Sequence, residues 1–103
     1  MRQARVYMMG EPAGYLQEME DGGYRFRYAE EYAGPPISLT MPVNERELLF
    51  ESFPPFFEGL LPEGVMLDGL LRQHKLDHAD LFGQLVAVGA DMVGAVTVTE
   101  ETP

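Results

Sequence analysis

Two histidines, His74 and His78, stand four positions apart. On one unbroken helix that spacing puts both imidazoles on a shared face, where they could hold a zinc ion. Leu76-Asp77 between them reads as a helix junction, so the rings are expected to diverge, and no third ligand stands at a convincing spacing. Of the two serines, Ser38 and Ser52, neither sits in a Gly-x-Ser-x-Gly elbow that would expose a nucleophile. Cysteine is absent, which excludes thiol catalysis and a disulfide framework and fits a reducing, cytoplasmic setting. The glycines form neither Gly-x-x-x-x-Gly-Lys nor Gly-x-Gly-x-x-Gly, the patterns that cradle phosphates. Carboxylates are plentiful, but plentiful carboxylates make a solvated face, and nothing pairs two of them as acid and base. The residues therefore predict no catalytic residue, no metal and no cofactor, and favour a binding or regulatory module over an enzyme.

Charge narrows the choice of partner. The chain carries 17 acidic and 7 basic side chains, a formal net charge of −10. A field of that sign repels phosphate backbones, so no direct nucleic-acid binding is expected, and it steers the molecule towards basic protein surfaces. No apolar run approaches the ~20 residues of a membrane span. The apolar residues near the start, Val6 to Met9, are too few for a secretion signal.

The elements that must position any binding surface are arranged around Phe53-Pro54-Pro55-Phe56-Phe57-Glu58-Gly59-Leu60-Leu61-Pro62-Glu63-Gly64. This stretch holds three of the eight prolines and three of the six phenylalanines. The prolines forbid continuous regular structure, and the phenylalanines are too apolar for a free loop. A helical turn is expected around 58–61, ended by Pro62. Before the stretch, residues 5–9 and 15–20 read as a hairpin about a turn over 10–14. Residues 24–28 form the clearest strand, with Tyr24, Phe26 and Tyr28 on one face and Arg25 and Arg27 on the other. The two arginines are expected to pair with Glu18 or Glu20 across the hairpin. Residues 37–40 read as a short strand, and 44–52 as either a surface loop or a helical turn.

After the stretch, residues 65–75 show helical spacing at Leu67, Leu70, Leu71 and His74. A second helix is expected from an N-cap at Asp77, with Asp80 at N3 and a Leu76/Leu81 staple. It should break at Gly89-Ala90-Asp91, ahead of a last strand over 93–99. The sum is a single domain over 1–103 of α+β class. It is a small, mostly antiparallel sheet or barrel-like assembly packed with two or so short helices.

Four motifs in this order resemble the N-terminal subdomain of HipA-type serine/threonine kinase toxins. They are the strand–Gly-x-x-x-Gly–strand over 6–16, Pro36-Ile37-Ser38-Leu39-Thr40-Met41-Pro42, Phe56-Phe57-Glu58-Gly59-Leu60-Leu61-Pro62-Glu63-Gly64, and Phe82-Gly83-Gln84-Leu85 followed by Gly89-Ala90-Asp91-Met92-Val93-Gly94-Ala95-Val96. The resemblance covers nearly the whole chain and stops where the kinase core would follow, so it supplies no kinase residue. A free-standing chain of this size resembles the HipS antitoxins of tripartite HipBST systems. That resemblance implies binding and inhibition of a separate HipT-like kinase, with a HipB-like protein supplying DNA contacts in a ternary complex. The alternative is the architectural subdomain of an intact HipA-like kinase. The start at a methionine and the end just past the last strand fit a complete short protein, and equally a shortened kinase.

The partner-binding residues are expected at Leu61, Pro62, Glu63, Gly64, Val65 and Met66. Pro62 and Gly64 stiffen the approach to the following helix, so its tip loses little entropy on binding. Residues 65 and 67 lie about 200° apart on a helix, so at least one of Val65 and Met66 should point away from the core.

Overall fold

Along Gln3–Met8 the buried side chains are Ala4 and Val6, two apart, the period of a strand with one covered face. The computed structural model, which describes residues 2–89 and 94–101, makes this segment β1. Four more strands follow: β2 (Glu11–Glu18), β3 (Tyr24–Tyr28), β4 (Glu47–Phe50) and β5 (Val96–Glu101). Every pairing is antiparallel, in the order β4-β3-β2-β1-β5. The sheet is open rather than closed into a barrel, with β4 and β5 as its edges. The helices are α1 (Pro55–Glu58), a single turn, α2 (Gly64–His74) and α3 (Leu81–Val88). The domain is therefore α+β, as the patterning predicts.

The core lies on one face of the sheet. Ala4, Val6, Leu16, Phe26, Tyr28, Val96 and Val98 point into it, and Phe53, Phe57, Phe82 and Leu85 close it from the helical side. Phe26 meets Tyr28 edge-on at 4.8 Å and leans on Phe57 at 6.0 Å between ring centroids. The loop between β3 and β4 adds Tyr32, Ile37 and Met41. The phenylalanine-rich stretch is thus pinned as expected, with Phe53 and Phe57 buried and Phe56 half-buried.

The structure corrects several local expectations. The first hairpin turns on Met9 and Gly10, with φ of 51° and 84° as a two-residue type I′ turn requires, and not across 10–14. Residues 11–14 belong to β2, and the register slips between Val6 and Tyr7, where Ala13 is the extra, buried residue. Gly14 serves packing rather than a turn, because a Cβ there would run into the Arg27 carbonyl oxygen. Residues 37–40 do not form a strand. They make a tight turn closed by one Ser38–Met41 bridge. The missing strand is β4, inside the stretch that reads as loop or helical turn. Only four residues long, it lacks the length for periodicity to declare itself. Arg25 and Arg27 accordingly reach Glu47 on β4, at 3.6 Å each, rather than Glu18 or Glu20.

The helical turn begins earlier than 58–61. Pro55 occupies the first helical position, where its missing N–H costs nothing, and the Pro54 carbonyl accepts from Phe57 and Glu58. Asp80, not Asp77, caps α3: its side chain accepts from the Gly83 N–H at 3.0 Å. Asp77 instead stabilises the preceding turn by accepting from the Ala79 N–H at 2.8 Å. The expected break at Ala90-Asp91 and the position Val93 lie outside the described residues; within them the last strand runs Val96–Glu101 rather than 93–99, with 94 and 95 in a bend.

Candidate protein-binding surface

The corner at 61–66 is held from both sides. Upstream, Phe57 anchors α1, and the hydrogen bonds Leu60 N–H to Phe57 O and Leu61 N–H to Glu58 O carry the turn on to Pro62. Leu60 and Leu61 pack against the core as half-buried residues. Glu63 is the extended N-cap of α2 and makes no side-chain cap bond. Gly64 follows with φ 60°, a left-handed conformation that a side chain would resist, which is why glycine stands at this corner.

Downstream, α2 closes at Lys75, whose left-handed backbone returns its N–H to Leu71 O. The connector to α3 is then fastened by Gln84. This side chain is 1 % exposed and donates to the carbonyls of both Asp77 and His78, at 3.2 and 3.0 Å. Asp80 adds a second fastening: beyond capping α3, it receives Arg2, whose guanidinium also spans to Glu18 at 2.7 Å. Hydrogen bonds from Arg2 hold the carboxyls of both Glu18 and Asp80 below the ordinary range, and the two carboxylates raise Arg2 in turn. The chain start, the β2 end and the α3 start are thereby tied at one point.

Against these fixed neighbours α2 stands proud. None of its residues is buried, and Leu67, Leu70 and Leu71 are only half-buried. Of the six expected partner-binding residues, Leu61 and Pro62 are half-buried, while Glu63, Gly64, Val65 and Met66 are exposed. Val65 is 85 % and Met66 76 % exposed, so both leave the core where the helical angle required only one. The structure therefore gathers a short apolar tip beside a carboxylate, on a helix that contributes little to the core. Such a tip can seat in an apolar socket; it offers no nucleophile, base or oxyanion donor.

The chemistry-bearing side chains do not converge here. His74 and His78 are both exposed, and among the described residues no group of three His, Cys, Asp or Glu could hold a metal ion. A shallow groove of about 450 Å³ beside Arg2, Gln17, Glu18, Asp21 and Arg25 lies apart from 61–66. Gln84 and Arg2 are the positioning residues that sequence reasoning missed. A glutamine inside the apolar run Phe82-Gly83-Gln84-Leu85 was the available signal, since a buried amide must find partners.

Comparison with known proteins gives this geometry a lineage. A family model described as the HipA N-terminal domain matches residues 4–99. An uncharacterized protein of Haemophilus influenzae is 33 % identical over 101 residues, spanning 98 % of this chain and 94 % of its own. A Sinorhizobium fredii protein provisionally named kinase Y4dM is 33 % identical over 103 residues, but this chain spans only 25 % of it. Among solved structures, the N-terminal domain of HipA toxin superposes with a TM-score of 0.79 at 28 % identity, covering 99 % of this chain and 94 % of that one. HipA in a Shewanella oneidensis complex with HipB and operator DNA shares the fold, with a TM-score of 0.76 at 20 % identity over 24 % of its length. With a family model over almost its whole length and a relative of its own size, the chain belongs to the HipA N-terminal domain family.

Proposed function

We propose that this protein is a non-catalytic antitoxin of the HipS kind, which binds a separate HipT-like serine/threonine kinase and holds it inactive in the cytoplasm. The observation that carries this reading is the exposed Val65–Met66 tip on a domain whose family is the N-terminal part of HipA and not its catalytic part. The tip and Glu63 reach a basic, apolar-lined pocket on the kinase and block it. A HipB-like protein completes a ternary complex and makes its DNA contacts. The HipA–HipB–operator assembly of the Shewanella structure supports partners of that kind. A relative of nearly equal length supports a free-standing role.

The second reading makes the domain an architectural part of an intact HipA-like kinase. It is favoured by the relatives of which the chain spans only about a quarter. The position of the gene's stop codon separates the two. The functional test is co-purification with the product of the adjacent gene, then a kinase assay with and without this protein. Val65→Asp and Met66→Asp should remain folded and lose both binding and inhibition. If both folded variants neutralise the kinase like the wild type, the contact lies elsewhere, with the exposed Glu30-Glu31 and Glu45–Glu47 faces next to be tried.

A further inference from the structure

The helices and the long loop cover one face of the sheet; the other is left open. Register places its outward residues in rows. One runs Leu49–Arg25–Gln17–Gln3–Glu101 across all five strands, and the next runs Glu47–Arg27–Tyr15–Arg5–Thr99. Three of the seven basic residues of the chain, Arg5, Arg25 and Arg27, stand in these rows with two of the 17 acidic ones. The strands' open face is thus slightly positive in a molecule whose remaining charge is strongly negative.

The first row is self-satisfied. Arg25 Nε donates to Gln17, Gln17 to Gln3, and Gln3 to Glu101. The second row is not. Arg5 makes no ion pair among the described residues, and its Nε is buried without a hydrogen-bond partner. Its Nη2 donates to the Tyr15 hydroxyl at 2.6 Å, which leaves the Tyr15 O–H proton free for another acceptor. Arg27, two strands away and about 10 Å off at the usual strand spacing, has a half-exposed side chain. Among the described residues its one carboxylate partner, Glu47, sits at 3.6 Å, well beyond a tight charge-assisted contact. Two incompletely satisfied guanidiniums therefore flank one hydroxyl donor in the middle of an open sheet.

We propose that the Arg5–Tyr15–Arg27 row on the uncovered sheet face is a docking site for an acidic segment of a protein partner, whose carboxylate seats between the two guanidiniums and accepts from Tyr15. Charge complementarity selects the occupant. A carboxylate gives the Tyr15 hydroxyl proton an acceptor and the half-exposed Arg27 guanidinium a closer partner than Glu47, and a short acidic segment confines its charge to this face. A nucleic acid fits less well on two counts: its long phosphate backbone meets the negative remainder of the molecule, and Arg5 lies over the Tyr15 ring at 5.1 Å, covering the surface on which a base would stack. The site is separate from the apolar 61–66 tip, so a chain engaged by one partner at α2 keeps this face for a second.

The test uses the full chain and a fluorescent oligo-glutamate peptide, followed by anisotropy at low salt. Saturable binding that weakens as salt rises is expected. Arg5→Gln with Arg27→Gln should weaken it about tenfold or more, while Arg72→Gln with Lys75→Gln, at the far end of α2, should leave it unchanged. Thr99→Glu guards against a variant that merely misfolds. Thr99 pairs with Arg5 in register, so a glutamate there supplies the carboxylate from within the row. The melting temperature should rise while peptide binding is lost. Absence of saturable binding to the wild type, or equal binding by the double arginine variant, would overturn the proposal. So would equal or tighter binding of single-stranded RNA of matched charge. Sedimentation showing a dimer that the arginine variants dissolve would overturn it too, by making the face a contact between copies.

Discussion

Tyr28 shows how one hydroxyl can hold a loop. Its ring is 2 % exposed and stacks on Tyr32 at 5.8 Å, and its O–H donates to the Met41 carbonyl. The same oxygen accepts from the Ile37 N–H at 3.1 Å, so both ends of the Ile37–Met41 turn hang on one atom. Burial raises this phenol above its usual pKa, which keeps the donor proton in place at neutral pH. Tyr28→Phe removes the hydroxyl and leaves a buried N–H and a buried carbonyl without it. It should cost about 1–3 kcal/mol in urea denaturation, with no change in the m-value. Gly14 sets a different kind of limit. Since its Cβ would overlap the Arg27 carbonyl oxygen, Gly14→Ala must part β2 from β3 locally. A loss of about 1–3 kcal/mol is expected, with the amides of Tyr15 and of Ala29, whose N–H bonds the Ala13 carbonyl, losing hydrogen-exchange protection first.

At the scale of elements, the Arg2–Glu18–Asp80 junction ties β2 to the N-terminus of α3, and its pH dependence has a definite sign. The folded-state pKa values of Glu18 and Asp80 are depressed by Arg2. Their contribution is therefore fully present above the unfolded carboxylate values near 4 and is lost as pH falls through the folded values. The stability difference between wild type and Arg2→Met should be constant from about pH 5 to 8 and shrink towards zero below about pH 4. A difference that grows on acidification would contradict the pairing. In α2, Gly69 has nothing within 4 Å of a built Cβ, so Gly69→Ala should gain about 0.5–1 kcal/mol of helix stability without touching the tip. The elements visible in the sequence were those with a long enough period: β3, with its Tyr-Arg-Phe-Arg-Tyr alternation, and α2, with its leucines three and four apart. What escaped was set by distant partners. Glu47–Phe50 becomes a strand because β3 offers it an edge. Asp80 outcompetes Asp77 as cap because it satisfies Gly83 and Arg2 together. The exposed tip was legible because a proline–glycine corner followed by two apolar residues constrains where those residues can point. The arginine row was not, since it exists only once β1, β2 and β3 are in register.

For the molecule as a whole, the buried core and the proposed binding tip fall on different parts. The sheet and the helices α1 and α3 share the buried residues, including Phe57, Phe82 and Leu85, whereas α2 contributes none. A helix attached by half-buried leucines alone, starting at the left-handed Gly64 and carrying the helical Gly69 in its middle, has a small free energy of local opening. Its hydrogen bonds should therefore break without unfolding the sheet. In native-state hydrogen exchange, the amides of Leu67 to His74 should exchange well below the global unfolding free energy, while those of Val6, Leu16 and Phe26 should report the global value. A tip that opens easily is a weak binder unless the partner stabilises it. In the proposed complex, binding at Val65 and Met66 would then have to supply the ordering free energy of α2 along with its own contacts. Gly69→Ala, by supplying part of that ordering in advance, should tighten kinase binding through slower dissociation as well as stabilise the free protein. Addition of the kinase should protect the α2 amides more than any others in the chain. If the α2 amides already exchange at the global rate in the free protein, α2 is not a separately opening unit, and Gly69→Ala should leave the affinity unchanged.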